Sequence, residues 1–172
     1  MRPNPRVLIA PDKFKGTLTA TEAANAIAAG IRAAAHRARV TVDIDPCPIA
    51  DGGEGTAEII ASTWKDGKPE WHAARIAGPL GVPLSARWAA GRNGTSVFDS
   101  AAACGLVHVP EDRRDPALCT TRGVGELLAL AARHQGSADG WMNQVLVALG
   151  GSATIDAGVG LAAALGWRFL DD

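Results

Sequence analysis

No block of like charge, no long apolar run and no paired cysteine spacing occurs anywhere in this chain, and each absence removes a class of function. The 17 lysines and arginines nearly balance 18 aspartates and glutamates, leaving a net charge of −1. That balance gives no basic face of the kind a nucleic-acid binder carries and no charged tail or membrane-surface patch. The apolar runs are too short to span a bilayer. The run after Met1-Arg2-Pro3-Asn4-Pro5, from Val7 to Ala10, is too short for a signal-peptide core. Nucleic acid and membrane are therefore not expected partners. Cys47, Cys104 and Cys119 are odd in number and show no CxxC spacing; they read as free thiols in a reducing cytoplasm, not as a disulfide framework or a zinc site. His36, His72, His108 and His134 are scattered, beside no carboxylate or cysteine cluster, and read as surface or packing residues.

Several familiar motifs are absent too. Lys15-Gly16-Thr17 has the wrong order for a Walker A loop. Cys47 stands where an EF-hand would need a third ligand after Asp43 and Asp45. Thr154 replaces the last glycine of a G-x-S-x-G elbow. Gly158-Val159-Gly160 resembles a dinucleotide fingerprint, but it falls within a helical pattern and not between strand and helix.

What is present is an α/β pattern. With 172 residues, 47% of them hydrophobic, the chain is long enough for one domain or slightly more. Val7–Ala10 reads as a buried strand closed by Pro11. Thr19-Ala20-Thr21-Glu22 is a capping box, and the apolar spacing from Ala20 predicts a helix to about Ala35. Val40–Ile44 alternates as a strand, so these elements form a βαβ unit with a parallel pair. Residues 65–69 are polar and turn-rich, which sets an expected boundary between a first lobe, 1–67, and a partial second lobe, 68–172. In the second lobe a strand is expected over 71–76. Asn93-Gly94 between apolar runs predicts a hairpin, so this lobe is not purely parallel. A short helix is expected before Gly105, and another helix, with Val124, Leu127, Leu128 and Ala131 on one face, runs to about His134. An apolar strand over 145–149 leads through Gly150 to a helix beginning near Ala157, and Trp167 onward reads as the start of another strand.

Three turns concentrate the candidate chemistry. Gly150, Gly151, Ser152, Thr154 and Asp156 combine glycines and hydroxyls where a strand meets a helix, an arrangement that favours an anion; a simple cap by Thr154 or Asp156 would use the same residue types. Asp12, Lys13 and Lys15 follow the first strand, and if extended they place both lysines on one side, at the end of the strand where α/β sheets bind ligands. Asp51, Gly52, Gly53 and Glu54 set a carboxylate among glycines. Asp51 and Glu54 have the spacing of a cap and its partner; alternatively, Asp51 could act as a general base or hold Mg²⁺. Thr120 and Thr121 open the helix that contains Gly123 and Gly125. All three turns are expected to face one cleft.

Taken together, residues 11–20, 50–56, 78–81, 120–127 and 150–156 resemble the glycerate kinase family that includes the bacterial glycerate 2-kinases, in order and in spacing. The resemblance implies phosphorylation of D-glycerate to 2-phosphoglycerate, with ATP and Mg²⁺. It implies a Rossmann-like lobe with an inserted flavodoxin-like α/β lobe. On that reading Lys13 and Lys15 meet anionic groups, Asp51 and secondarily Asp12 act at the substrate hydroxyl or metal, and Gly52, Gly53, Glu54, Thr120, Thr121, Gly150, Gly151, Ser152, Thr154 and Asp156 bind substrate or phosphate. Three departures stand out: Ile155 where the family commonly has asparagine, Ala157 where it has glycine, and Asp99-Ser100 where it has Glu-Met. The family's proteins are also much longer, so the chain is expected to be an N-terminal part, poorly active alone and prone to associate as a homo-oligomer. The alternatives are a non-catalytic fragment and a phosphate-binding α/β enzyme with another small acceptor.

Overall fold

The computed structural model describes residues 4–134 and 144–170. Packing divides the chain into two compact units, Met1–Asp51 and Gly52–Asp172. The first is a βαβ unit of β1 (Arg6–Ile9), α1 (Ala20–Ala38) and β2 (Asp43–Pro46). β1 and β2 pair in parallel with Arg6 opposite Asp43. The Thr19 hydroxyl accepts from Glu22 N, and the Glu22 carboxylate accepts from Thr19 N, so the capping box forms. Ala24 and Ala28 of α1 pack on Ile9, with Val7, Ile31 and Ile44 around them. β2 starts three residues later than the alternation predicts. Arg39 ends α1 in the left-handed region at φ 55°, and Val40 N then donates to Ala35 O. Val40 is thus spent leaving the helix.

The second unit is a four-stranded sheet in the order β3-β4-β5-β6, comprising β3 (Glu70–Ala77), β4 (Pro83–Ala90), β5 (Thr95–Asp99) and β6 (Gln144–Ala148). β3–β4 and β4–β5 are antiparallel, the second joined through the predicted Asn93-Gly94 turn, while β5–β6 is parallel. Side chains alternate across β5 as strand geometry requires. Val97 faces α2 (Thr56–Ser62), packing with Ala57 and Ala61, whereas Phe98 faces α4 (Arg122–His134), packing with Val124 and Leu127. A short helix, α3 (Ala101–Cys104), and the last helix, α5 (Val159–Ala164), complete the unit.

Three expectations change. α2 was expected with the first lobe, but it packs on β4 and β5 and lies in the second unit. α5 begins at Val159, because Gly158 is its N-cap at φ 78°. Residues 167–170 form no strand. Trp167, Phe169 and Leu170 are exposed there, and no described strand lies alongside to pair with them. No helix among the described residues is long and apolar enough to cross a membrane.

Candidate functional site

In the first unit the parallel pairing continues beyond the strands: Cys47 N donates to Ile9 O at 2.8 Å and Ile49 N to Pro11 O at 3.0 Å. This run carries the chain after β2 alongside the chain after β1. The Lys13 ammonium consequently meets Asp51 Oδ1 at 2.8 Å. The lysine side chain is 17% exposed and the aspartate 56%, so a mostly buried cation holds a carboxylate that solvent can reach. Asp12 Oδ1 accepts from Lys13 N at 2.6 Å, fixing the start of the turn. The segment is not extended as the alternation argument assumed. Phe14 N donates to Leu18 O and Thr17 N to Phe14 O, which closes a tight turn with Gly16 at φ 73°. Lys15 stands exposed in that turn, apart from the Lys13–Asp51 pair in hydrogen bonding.

In the second unit, the cap of α2 is neither Asp51 nor Glu54. Gly55 is the N-cap, in the left-handed region, and the carboxylate comes from Asp99 at the end of β5, which accepts from Gly55 N at 2.8 Å and Ala57 N at 2.7 Å. Burial pushes the Asp99 carboxyl above its ordinary range, against the opposing pull of those hydrogen bonds. The glycines flanking this turn also have a packing reason. A Cβ on Gly52 would lie 2.6 Å from Leu149 O, and one on Gly150 would lie 2.7 Å from Gly53 N. Two turns of the same unit press backbone to backbone, and only glycine fits.

The loop after Gly150 divides its residues among four tasks. Leu106 N donates to Gly151 O and Ala153 N to Cys104 O, stitching the loop to the end of α3. Ser152 and Thr154 contact the buried Cys104 thiol, which donates to Ser152 Oγ at 3.8 Å and accepts from Thr154 Oγ1 at 4.0 Å. Burial raises the pKa of that thiol, outweighing both contacts, so Cys104 is poorly suited to act as a nucleophile. Ser152, Thr154 and Ile155 also line a pocket of about 200 Å³, together with Arg114, Pro116 and Cys119. Asp156 accepts four hydrogen bonds. Its carboxylate accepts from Thr121 N and Thr121 Oγ1, both at 2.8 Å, and from Gly158 N and Gly160 N, both at 3.2 Å. Desolvation opposes ionisation, but these hydrogen bonds prevail and hold Asp156 below the usual carboxylate range. Thr121 Oγ1 accepts in turn from Leu161 N, and Thr120 Oγ1 from Arg122 N. The starts of α4 and α5 are thus filled by the protein's own carboxylate, at the place where an anion was expected.

A family model, that of the glycerate kinase family, matches residues 7–172. The chain belongs to the glycerate kinase family. It is 39% identical over 168 residues to glycerate 2-kinase of Escherichia coli (strain K12), covering 96% of this chain and 40% of that protein. Against a glycerate kinase of Bacillus subtilis (strain 168) it is 40% identical over 168 residues, covering 97% and 41%. A crystal structure assigned to glycerate kinase 2 of Salmonella typhimurium LT2 superposes with a TM-score of 0.71 at 34% identity, over 95% of this chain and 41% of that one. The chain therefore spans about two fifths of the length of the curated relatives it matches.

In the sequence Asp99 stands out only as a departure from the family's Glu-Met, with nothing to announce its role at α2. Its signal was positional: a carboxylate at the carboxyl end of a strand in an α/β unit, where such folds place polar groups that meet helix starts or ligands.

Proposed function

We propose that the protein to which this chain belongs transfers the γ-phosphoryl group of ATP to the 2-hydroxyl of D-glycerate, in the cytoplasm, giving ADP and 2-phosphoglycerate. The observation carrying this reading is the family match across residues 7–172; the Lys13–Asp51 pair supports a chemical role within it. Phosphoryl transfer asks a protein chiefly for positioning and charge stabilisation. Asp51 takes the proton of the acceptor hydroxyl as its oxygen bonds to the γ-phosphorus and the bond to ADP breaks. Lys13 orients that carboxylate. Lys15, exposed in its turn, meets an anionic group of either substrate, and Asp12 shapes the loop between them. Mg²⁺ neutralises phosphate charge when bound. Asp51 offers one of the hard oxygen donors it prefers, although its Oδ1 is already engaged by the Lys13 ammonium. Gly52, Gly53, Thr120, Thr121, Gly150, Gly151, Ser152, Thr154 and Asp156 serve as scaffold, since so many of their contacts are with one another or with neighbouring backbone.

The test is a chimera in which this chain replaces the matching part of the Escherichia coli relative, assayed with ATP, Mg²⁺ and D-glycerate. ADP formation that requires D-glycerate, with 2-phosphoglycerate seen by phosphorus NMR, is the expected result. A soluble, folded chimera without glycerate-dependent turnover would sink the proposal. The coverage of about two fifths favours a second reading for the 172 residues alone, binding without turnover, and the isolated chain in the same assay checks it.

A further inference from the structure

The histidines, read as surface or packing residues, include a pair that the fold brings together. His72 and Glu70 are two residues apart on β3 and so share one face of the sheet. His72 lies opposite Trp88 of β4, and its ring stacks on that indole at 5.2 Å between centroids. His134 ends α4, three residues beyond the buried Ala131 and hence on the helix face turned to the sheet. The two imidazoles meet with centroids 3.8 Å apart. One donor atom from each of Glu70, His72 and His134 lies within 4.8 Å of the others. His72 Nε2 is buried and finds no hydrogen-bond partner among the described residues; its nearest carboxylate oxygen, Glu70 Oε1, is 3.6 Å away, too far for a good hydrogen bond.

We propose that Glu70, His72 and His134 form a site for a divalent transition metal of the Zn²⁺ class. Two imidazoles and one carboxylate are a ligand set that such ions take with water in the fourth position. Ligands about 2.0–2.2 Å from a tetrahedral ion stand roughly 3.4 Å apart, so rotamer shifts of about an ångström close the site. Glu70 is three-quarters exposed and can make that adjustment. The ion gives the buried Nε2 the partner it lacks. It also ties the first strand of the sheet to the last turn of α4, a link that no hydrogen bond or ion pair makes among the described residues, the Ala77–Glu126 bond lying nearer the start of α4.

The experiment is calorimetric titration of the tag-free 172-residue chain with Zn²⁺, together with the visible spectrum of its Co²⁺ complex. Expected are one ion per chain, a higher melting temperature with Zn²⁺, and a four-coordinate Co²⁺ spectrum without a thiolate charge-transfer band. Second-shell losses typically weaken a metal site about 10–100-fold, so His134→Gln, which removes a ligand, should weaken binding at least about tenfold. His72 is packed in the ring cluster and its substitution risks the fold; the exposed Glu70→Gln keeps the fold and should also weaken binding measurably. Unchanged affinity in both His134→Gln and Glu70→Gln, a thiolate band, or no binding up to about 100 μM Zn²⁺, a Kd weaker than ~5.5 kcal/mol of binding energy, would each overturn the site.

Discussion

Asp51 and Asp156 read alike in the sequence, each an aspartate in a glycine-rich turn near a helix start, yet the chain treats them in opposite ways. Asp156 accepts from two backbone amides near the start of α5 and from the amide and hydroxyl of Thr121. For α2 that work falls to Gly55 and Asp99, and Asp51 faces Lys13 with more than half its side chain exposed. A carboxylate already saturated by its own chain has little left to offer a substrate. One paired with a mostly buried lysine and more than half exposed itself can still be reached by a ligand. The neighbours in space, not the local motif, set the two aspartates apart.

The largest expected effect is on Asp51. Asp51→Asn in the chimera should lower turnover at least about a hundredfold, the usual loss for a general base. Its melting temperature should stay within a few degrees, because an ion pair with one partner this exposed contributes only about 0–1 kcal/mol. Unchanged turnover would return Asp51 to the surface residues.

The next effect runs the other way. Asp156→Ala leaves three amides and a hydroxyl without their acceptor, which should cost about 2–3 kcal/mol and lower melting by roughly 4–12 °C in a chain of this size. If melting holds and turnover vanishes instead, Asp156 touches substrate and the contrast fails.

The smallest effect is in the pH dependence of stability. The depressed pKa of Asp156 gives stability that is fully present above the unfolded value of about 3.9 and is lost as pH falls through the lower folded value. Asp99, raised by burial, acts oppositely: stability is gained as pH falls through its folded value toward about 3.9. Urea midpoints from about pH 6 to 3 should therefore fall less steeply for Asp156→Asn than for the wild-type chain. Parallel profiles would remove Asp156 from the acid limb.

Local signals carried much of the fold into the sequence. The Thr19–Glu22 capping box fixed the start of α1, and Asn93-Gly94 fixed the hairpin between β4 and β5, because each works within a few residues. The family was legible too, from motifs in register along the chain. What stayed hidden depends on distant partners. Asp99 caps a helix more than 40 residues earlier, the glycines at 52 and 150 exist for each other, and His72 meets His134 across the sheet. Val40 was misjudged for a subtler reason. Its β-branched alternation was real, but the left-handed exit at Arg39 had first claim on its backbone.

The position of β5 has a consequence for the timing of synthesis. Its antiparallel neighbour β4 precedes it directly, so the hairpin can form as soon as both have left the ribosome. Its parallel neighbour β6 ends 49 residues after β5 does. At about 5–20 residues per second, Ser96, Val97 and Phe98, each fully shielded from solvent in the finished fold, wait roughly 2–10 seconds with one edge unpaired. For that interval the nascent chain is at its most vulnerable to pairing with another copy of itself, and β6 is the strand that ends it.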